Sequence, residues 1–127
     1  SIYCSSLGGW IAARSSGQLS TRYGSIERML VGLRAVLGTG EVLDVPASPR
    51  TAAGPDLLGL LCGSEGALAV ITQATLRAHP EAAERAFRAF RFPALPPALR
   101  GIRRTLQAGI LPAAVRLYDE NAVVKLV

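Results

Sequence analysis

Cys62-Gly63-Ser64-Glu65-Gly66-Ala67-Leu68-Ala69-Val70-Ile71-Thr72 is the stretch on which the fold turns. It joins the end of a short leucine-rich helix to an apolar, β-branched run through a corner that holds two glycines. Gly63 and Gly66 allow positive φ and a close approach of the backbone to whatever lies against it. Between them Ser64 offers a hydroxyl and Glu65 a carboxylate. Successive backbone N–H groups around such a corner can form a nest for anionic or polar ligand atoms. The same pattern also fits a helix C-cap glycine followed by a turn, with Glu65 pointing to water.

The elements on either side are readable from local signals. Leu68 to Leu76 is expected to be a central strand, because both of its faces are largely apolar until Gln73. Before the corner, Pro55 and Asp56 suit a helix start, and Leu57, Leu58, Leu60 and Leu61 predict a short helix buried on most sides. Further upstream, Met29 to Leu37 alternates, with Met29, Val31, Leu33, Ala35 and Leu37 on one face and Arg34 on the other. Gly38-Thr39-Gly40 supplies a turn, and Glu41 to Val45 returns as the second strand of an antiparallel hairpin. Pro46 to Gly54 reads as a loop in which Arg50 is solvated.

A second small-residue corner lies near the N-terminus: Ser6-Leu7-Gly8-Gly9-Trp10-Ile11-Ala12-Ala13-Arg14-Ser15-Ser16-Gly17. Ser5 and Ser6 are suited to cap a helix beginning near Gly8. Trp10, Ala13 and Arg14 then fall on neighbouring positions of one face. Gly8, Gly9, Ala12 and Ala13 leave room for a bulky flat ligand, and a helix start favours negative charge such as a pyrophosphate. A glycine-rich loop packed on a strand explains the same residues.

The succession of Gly-Gly, Tyr23-Gly24, strand, glycine hairpin, Gly-Ser-Glu-Gly and strand resembles the second half of a known cofactor domain. It is the FAD-binding domain of the vanillyl-alcohol-oxidase and p-cresol-methylhydroxylase superfamily. Within it, Gly-Gly-Trp-x-x-x-Arg-x-Ser-Gly at Gly8 to Gly17 and Ala114-Val115-Arg116-Leu117-Tyr118-Asp119 resemble the alkylglycerone-phosphate synthase family. The resemblance runs from Ser6 to about Asn121. It implies an α+β fold, an antiparallel sheet flanked by helices over 1–80, followed by the start of a cap (substrate) domain over 81–127.

The same resemblance implies FAD as cofactor. Ser6, Gly8, Gly9 and the Ala13, Arg14, Ser15, Ser16 segment would contact it on one side. On the other, Ser64, Glu65, Gly66, Ala67, Leu68, Ala69, Val70 and Ile71 would wrap its adenosine end. The family usually has Thr at Ala67 and Gly at Ala69, so Ala69 adds a methyl group. Arg116 is expected to be buried in an otherwise apolar strand, Ala113 to Leu117, and a buried charge there needs either a site role or an ion pair with Asp119 or Glu120. The family has an arginine here, so the resemblance assigns Arg116 to catalysis. The implied reaction exchanges acyl for alkyl on acyl-dihydroxyacetone phosphate, the flavin acting without net redox change. A flavin dehydrogenase of D-lactate or glycolate type shares the Gly-Ser-Glu-Gly corner, and a degenerate α+β module without cofactor is the third reading.

Composition narrows the partners. Half of the 127 residues are apolar, and the net charge is +5, from thirteen Arg and one Lys. The densest basic group is Arg77, Arg85, Arg88, Arg91, Arg100, Arg103 and Arg104. Few aromatic residues accompany it, and no nucleic-acid motif does, so a solvated face is expected and no nucleic-acid partner. Cys4 and Cys62 lack metal spacing with His79 and read as buried thiols, and no metal is expected. His79, beside Pro80 at a strand end, reads as a surface residue. There is no Gly-x-Gly-x-x-Gly fingerprint, Walker loop or Ser-His-Asp set. No apolar run reaches the roughly 18 residues of a membrane helix.

Beyond Pro80 the composition turns to Ala, Arg and Phe. Glu81 to Phe92 fits a helix by Glu81, Glu84 and Arg85 and a strand by the alternation of 88–92, and the resemblance favours a strand from about Ala86. A helix follows, opened by Pro96 and Pro97 with Leu99, Ile102 and Leu106 on its apolar face and Gly109 at its end. Ala113 to Tyr118 is expected as a strand, and Asp119 as the cap of a final helix. The opening on Ser1 and the stop inside an apolar run read as an excerpt of a longer protein, inactive by itself. That longer protein is expected to act on a small-molecule or lipid substrate, with peripheral membrane contact and a homodimer as further expectations. A cytoplasmic place is expected, or a peroxisomal one in a eukaryote.

Overall fold

The computed structural model describes residues 2–48 and 52–119. Arg50 and the final helix expected after Asp119 lie outside the described residues. The chain divides into two compact units, Ser1–Gly17 with Gly24–His79 and Gln18–Tyr23 with Pro80–Val127.

The first unit is built on a three-stranded antiparallel sheet in the order β2-β1-β3. The strands are β1 (Leu30–Leu37), β2 (Val42–Val45) and β3 (Ala69–Leu76). The glycine turn joins β1 to β2 as the pattern predicts, with Leu33 opposite Val45 and Val36 opposite Val42. Arg34 and Asp44 face each other across this pair and form an exposed ion pair. Three short helices bring apolar residues to the sheet: α1 (Leu7–Ala12), α3 (Ile26–Met29) and α4 (Leu57–Leu61). Ile11, Ile26 and Leu61 from these helices join Leu30, Leu33, Ala35, Cys62 and Ala69 in one core.

The central strand is β1. β3 pairs with β1 alone among the described residues, and Val70 is 67% exposed. The reason lies in the ladder. Arg34 pairs with Gln73 and Ala35 with Ile71, so Thr72 bulges out of register. A bulged residue switches the side-chain alternation. Ala69 and Ile71 pack on the core before the bulge, Ala74 and Leu76 after it. Both parities are apolar because the frame shifts, not because both faces are buried. A second irregularity between Leu30 and Gly32 does the same to β1, burying Leu30 together with Leu33 and Ala35. Next to it, Gly32 has no room for a side chain: a Cβ there would lie 2.8 Å from the Cα and N of Ala47.

α4 is shorter on burial than its leucines suggest, since Leu60 is 59% exposed. Asp56 is its N-cap and accepts from Gly59 N–H at 2.9 Å, which leaves Pro55 ahead of the helix.

In the second unit α5 (Leu95–Gln107) is opened by its prolines and followed by Gly109 at φ 77°. Its buried residue is Ala98, whereas Leu99 is 51% exposed. Phe92 packs over Gly101, where a Cβ would sit 3.3 Å from the ring. The side of α5 that is covered in this unit therefore runs through Ala98 and Gly101, and the leucine stripe faces out. No strand forms over 86–92 or 113–118. Those segments alternate, but a strand exists only with a neighbour to complete its ladder. A short helix, α2 (Ser20–Tyr23), also belongs to this unit, with Arg22 stacked 5.8 Å from the Tyr23 ring centre. No helix among the described residues is long and apolar enough to cross a membrane.

Candidate functional site

α1 starts where the serine predicts. Ser6 has extended backbone and its hydroxyl accepts from Gly9 N–H at 3.1 Å. Gly9 is glycine for that cap, since a Cβ there would lie 3.1 Å from the Ser6 Oγ. Gly8 faces β3, where a Cβ would come within 3.5 Å of the Ile71 carbonyl oxygen. Trp10 packs against the core and donates its indole N–H to Ser5 Oγ at 2.7 Å.

The 63–66 corner turns through left-handed backbone at Gly63 (φ 87°), Glu65 (φ 49°) and Gly66 (φ 82°). It is not an open nest. Gly63 N–H donates to Ile11 O at 2.9 Å and Glu65 N–H to Ala12 O at 3.0 Å. Ser64 N–H reaches Leu61 O, and Ala67 N–H reaches Ser64 O. These amides close the carbonyl ends of α1 and α4, groups that a helix terminus otherwise leaves without partners. Of the two arrangements that the sequence allows, the helix-ending turn is the one formed, with the Gly63, Ser64, Glu65 and Ala67 amides turned to the protein's own backbone. What the corner does leave unsatisfied is the Ser64 hydroxyl, whose oxygen is buried and has no hydrogen-bond partner.

Docking the corner onto α1 opens a cleft of about 340 Å³ between them. Ser6, Gly8, Gly9 and Ala12 line one wall; Glu65, Gly66, Ala69, Val70 and Ile71 line the other. Two stretches separated by half the chain are thereby brought together. Ala12, not among the expected contacts, is placed there by helical spacing from Gly8 and Gly9. Ala13, Arg14, Ser15, Ser16, Ser64, Ala67 and Leu68 are not part of the lining. The Ala69 methyl is nearly buried in the core, so little of it reaches the cleft.

Arg14 turns away from the cleft. Its Nε and a terminal nitrogen donate to Cys62 O at 3.2 and 2.7 Å, and the same terminal nitrogen to Gly59 O at 3.0 Å. A cation on the last carbonyls of α4 is favourably placed. Cys62 is buried, as expected, whereas Cys4 is exposed. Burial pushes the Cys62 thiol above its ordinary value of 9.0, Arg14 partly offsets this, and Glu27 adds a smaller upward push. Arg116 is exposed rather than buried, and donates to Tyr118 Oη at 3.1 Å. His79 and the basic group of the second half lie on exposed surface, as the composition indicates. No cluster of three or more His, Cys, Asp or Glu suited to a metal occurs among the described residues.

Comparison with known proteins gives this cleft its class. Residues 1–46 match the family described as "FAD binding domain". Among relatives, the chain is 40% identical over 114 residues to an uncharacterized FAD-linked oxidoreductase, YgcU, of Escherichia coli (strain K12), covering 89% of this chain and 24% of that protein. The chain is therefore part of an FAD-binding flavoprotein domain.

Within that class the likeness extends to the alkyldihydroxyacetonephosphate synthases, another name for the alkylglycerone-phosphate synthases. The protein of that name from Trypanosoma brucei brucei is 38% identical over 117 residues, which is 92% of this chain and 19% of the relative. A solved alkyldihydroxyacetonephosphate synthase superposes with a TM-score of 0.73 at 33% identity, over 94% of this chain and 21% of the other. The chain thus spans about a fifth of the length of the proteins it matches.

The residues present fit such a cofactor at one end. A floor without side chains at Gly8 and a glycine rim at Gly66 suit a flat ligand, and Glu65 offers it a carboxylate. The volume lies near the lower end of the roughly 300–1,000 Å³ typical of small-molecule clefts. That suits part of a dinucleotide better than the whole.

Proposed function

We propose that the cleft between α1 and the 63–66 corner holds the adenosine end of FAD, in an enzyme that exchanges acyl for alkyl on acyl-dihydroxyacetone phosphate. The observation that carries this reading is the meeting of Ser6, Gly8 and Gly9 with Glu65, Gly66, Ala69, Val70 and Ile71 around one cleft. Gly8 admits the flat ligand, and Glu65 at the rim accepts from ribose hydroxyls. The backbone of β3 along Val70 and Ile71 offers the adenine edge its hydrogen bonds. When bound, FAD supplies the reactive isoalloxazine; this part of the chain grips the far end and excludes water there. Residues 81–127 begin the substrate domain, and Arg116 is the residue there assigned to the reaction.

Two measurements on the intact protein that carries this chain test the reading. Glu65→Ala removes a hydrogen bond to the cofactor, costing on the order of 1–3 kcal/mol of its binding, and Ser64→Ala tests the corner beside the cleft. Unchanged flavin content in both variants after dialysis returns the corner to a helix-ending turn. For the reaction, the flavin absorbance should fall on addition of an acyl-dihydroxyacetone phosphate and recover with a fatty alcohol, no electron acceptor being present.

Likeness to a D-lactate dehydrogenase of Archaeoglobus fulgidus, 34% identical over 118 residues, supports a second reading, a 2-hydroxy-acid dehydrogenase. The same binding domain serves either chemistry, because the protein around the flavin selects the reaction. Bleaching by D-lactate or glycolate, reversed only by a quinone or oxygen, makes the dehydrogenase the better description.

A further inference from the structure

The resemblance puts Arg14 in the stretch that touches the cofactor, whereas its guanidinium is engaged with the Cys62 and Gly59 carbonyls. Those carbonyls belong to the end of α4, immediately before the corner. Arg14 itself follows α1 and takes left-handed backbone at φ 49°, which swings its side chain toward α4. It lies flat on Gly63, where a Cβ would come 3.0 Å from its Nε. The backbone repeats the link beside it, through Gly63 N–H to Ile11 O and Glu65 N–H to Ala12 O. Ala12 and Glu65 stand on opposite walls of the cleft.

We propose that Arg14 is a positioning residue: without touching the ligand, it locks the end of α1 to the 63–66 corner and so fixes the width of the cleft. An arginine guanidinium holds its donors in a rigid plane, so Nε and a terminal nitrogen bind the Cys62 carbonyl together while that nitrogen also reaches Gly59. A lysine ammonium is a compact charge on a flexible stem without that fixed geometry. Charge-assisted bonds to otherwise unclosed helix carbonyls are among the stronger links available to a short helix. The effect on cofactor rests on the FAD reading above; the lock itself does not. A guanidinium that touched a phosphate would act by charge and lose its effect in salt. A lock made of short internal hydrogen bonds keeps its effect.

The experiment compares the intact protein with its Arg14→Ala and Arg14→Lys variants in two readouts. Amide hydrogen exchange at Gly63 and Glu65 reports the lock, and the FAD dissociation rate at low and high salt reports its consequence. In Arg14→Ala both amides should exchange on the order of tenfold faster, and FAD should leave faster by a similar factor that salt does not change. Arg14→Lys should fall between, and carries the comparison by itself if the alanine variant does not fold. Wild-type protection at Gly63 and Glu65 in the variants overturns the proposal. So does a dissociation ratio that collapses in high salt, which marks a direct charge contact. A wild-type protein that takes up no FAD sinks the cofactor reading alone, and the exchange data still decide the role of Arg14.

Discussion

The corner region and the segment after Pro80 carry equally apolar sequence, and they end differently. Around α1, α4 and residues 63–66, apolar side chains reach one core and the corner amides close helix carbonyls a few residues to fifty residues away. Beyond Pro80, Phe87 and Phe90 are 87% and 78% exposed, and the alternating runs form no strand. The difference is one of partners. A helix closes most of its hydrogen bonds within itself, so α5 forms wherever its prolines and glycine allow. A strand closes none without a neighbour. The first region has its neighbours inside this chain, and the second does not have them among the described residues.

The sharpest way to break this comparison is to fill the tightest spot of the first region. Gly32→Ala puts a methyl group against the backbone of Ala47, which cannot rotate away. Overpacking of this kind should lower stability by about 3 kcal/mol, read as a shift of the denaturation midpoint at constant slope. A midpoint within error of wild type would mean that the 45–48 segment is not packed on β1 as described.

A middle-sized effect is expected at the other end of α4 from Arg14. Asp56→Ala removes the cap on Gly59 N–H. Loss of an N-cap costs about 1 kcal/mol, and Asp56→Asn should restore most of it. Equal losses in the alanine and asparagine variants would point to the charge rather than the cap.

Cys62 gives a smaller effect with a definite sign. Its folded value lies above the unfolded one because burial disfavours the thiolate. The unfolded chain therefore holds fewer protons in the alkaline range, and the stabilising contribution, complete below about pH 8, is lost as pH rises toward the folded value. Cys62→Ala should flatten the fall in melting temperature between about pH 8 and 10. Cys4, being exposed, should be alkylated first at neutral pH; equal rates for both thiols would contradict the burial of Cys62.

The smallest effect sharpens the contrast from the other side. Phe90→Ala should change stability by less than about 0.5 kcal/mol, as exposed positions do. A loss of about 3 kcal/mol, the value for a buried phenylalanine, would show that some surface outside the described residues covers it.

Much of the first region is legible in sequence because its signals are local. Ser6, Asp56, Gly63 and the Gly38-Thr39-Gly40 turn each act on their own neighbours, and each does what its chemistry predicts. The cleft itself was legible only through the resemblance, since nothing in spacing brings Gly8 to Ile71. What misled was distance. The apolar character of β3 was read as burial on both faces, because a bulge leaves no mark on composition. The corner left a nest and a helix-ending turn both open, because the acceptors of its amides, Ile11 and Ala12, lie some fifty residues earlier. On α5 the leucines outweighed Ala98 and Gly101, though small residues are what let a ring such as Phe92 come close. Arg116 looked buried because a strand was expected around it, and none forms over 113–118.

The bulge at Thr72 also says something about how this strand can change over generations. Its hydroxyl donates to Arg34 O at 3.2 Å, yet its place in the ladder is an extra one. Deleting that single residue would leave Ala69, Ile71, Ala74 and Leu76 all on the inner face, in plain alternation. Loss of Val70 would instead turn part of the strand inside out. Insertions and deletions in descendants of this sequence should therefore gather at the outward pair Thr72 and Gln73, where a lost codon is nearly silent.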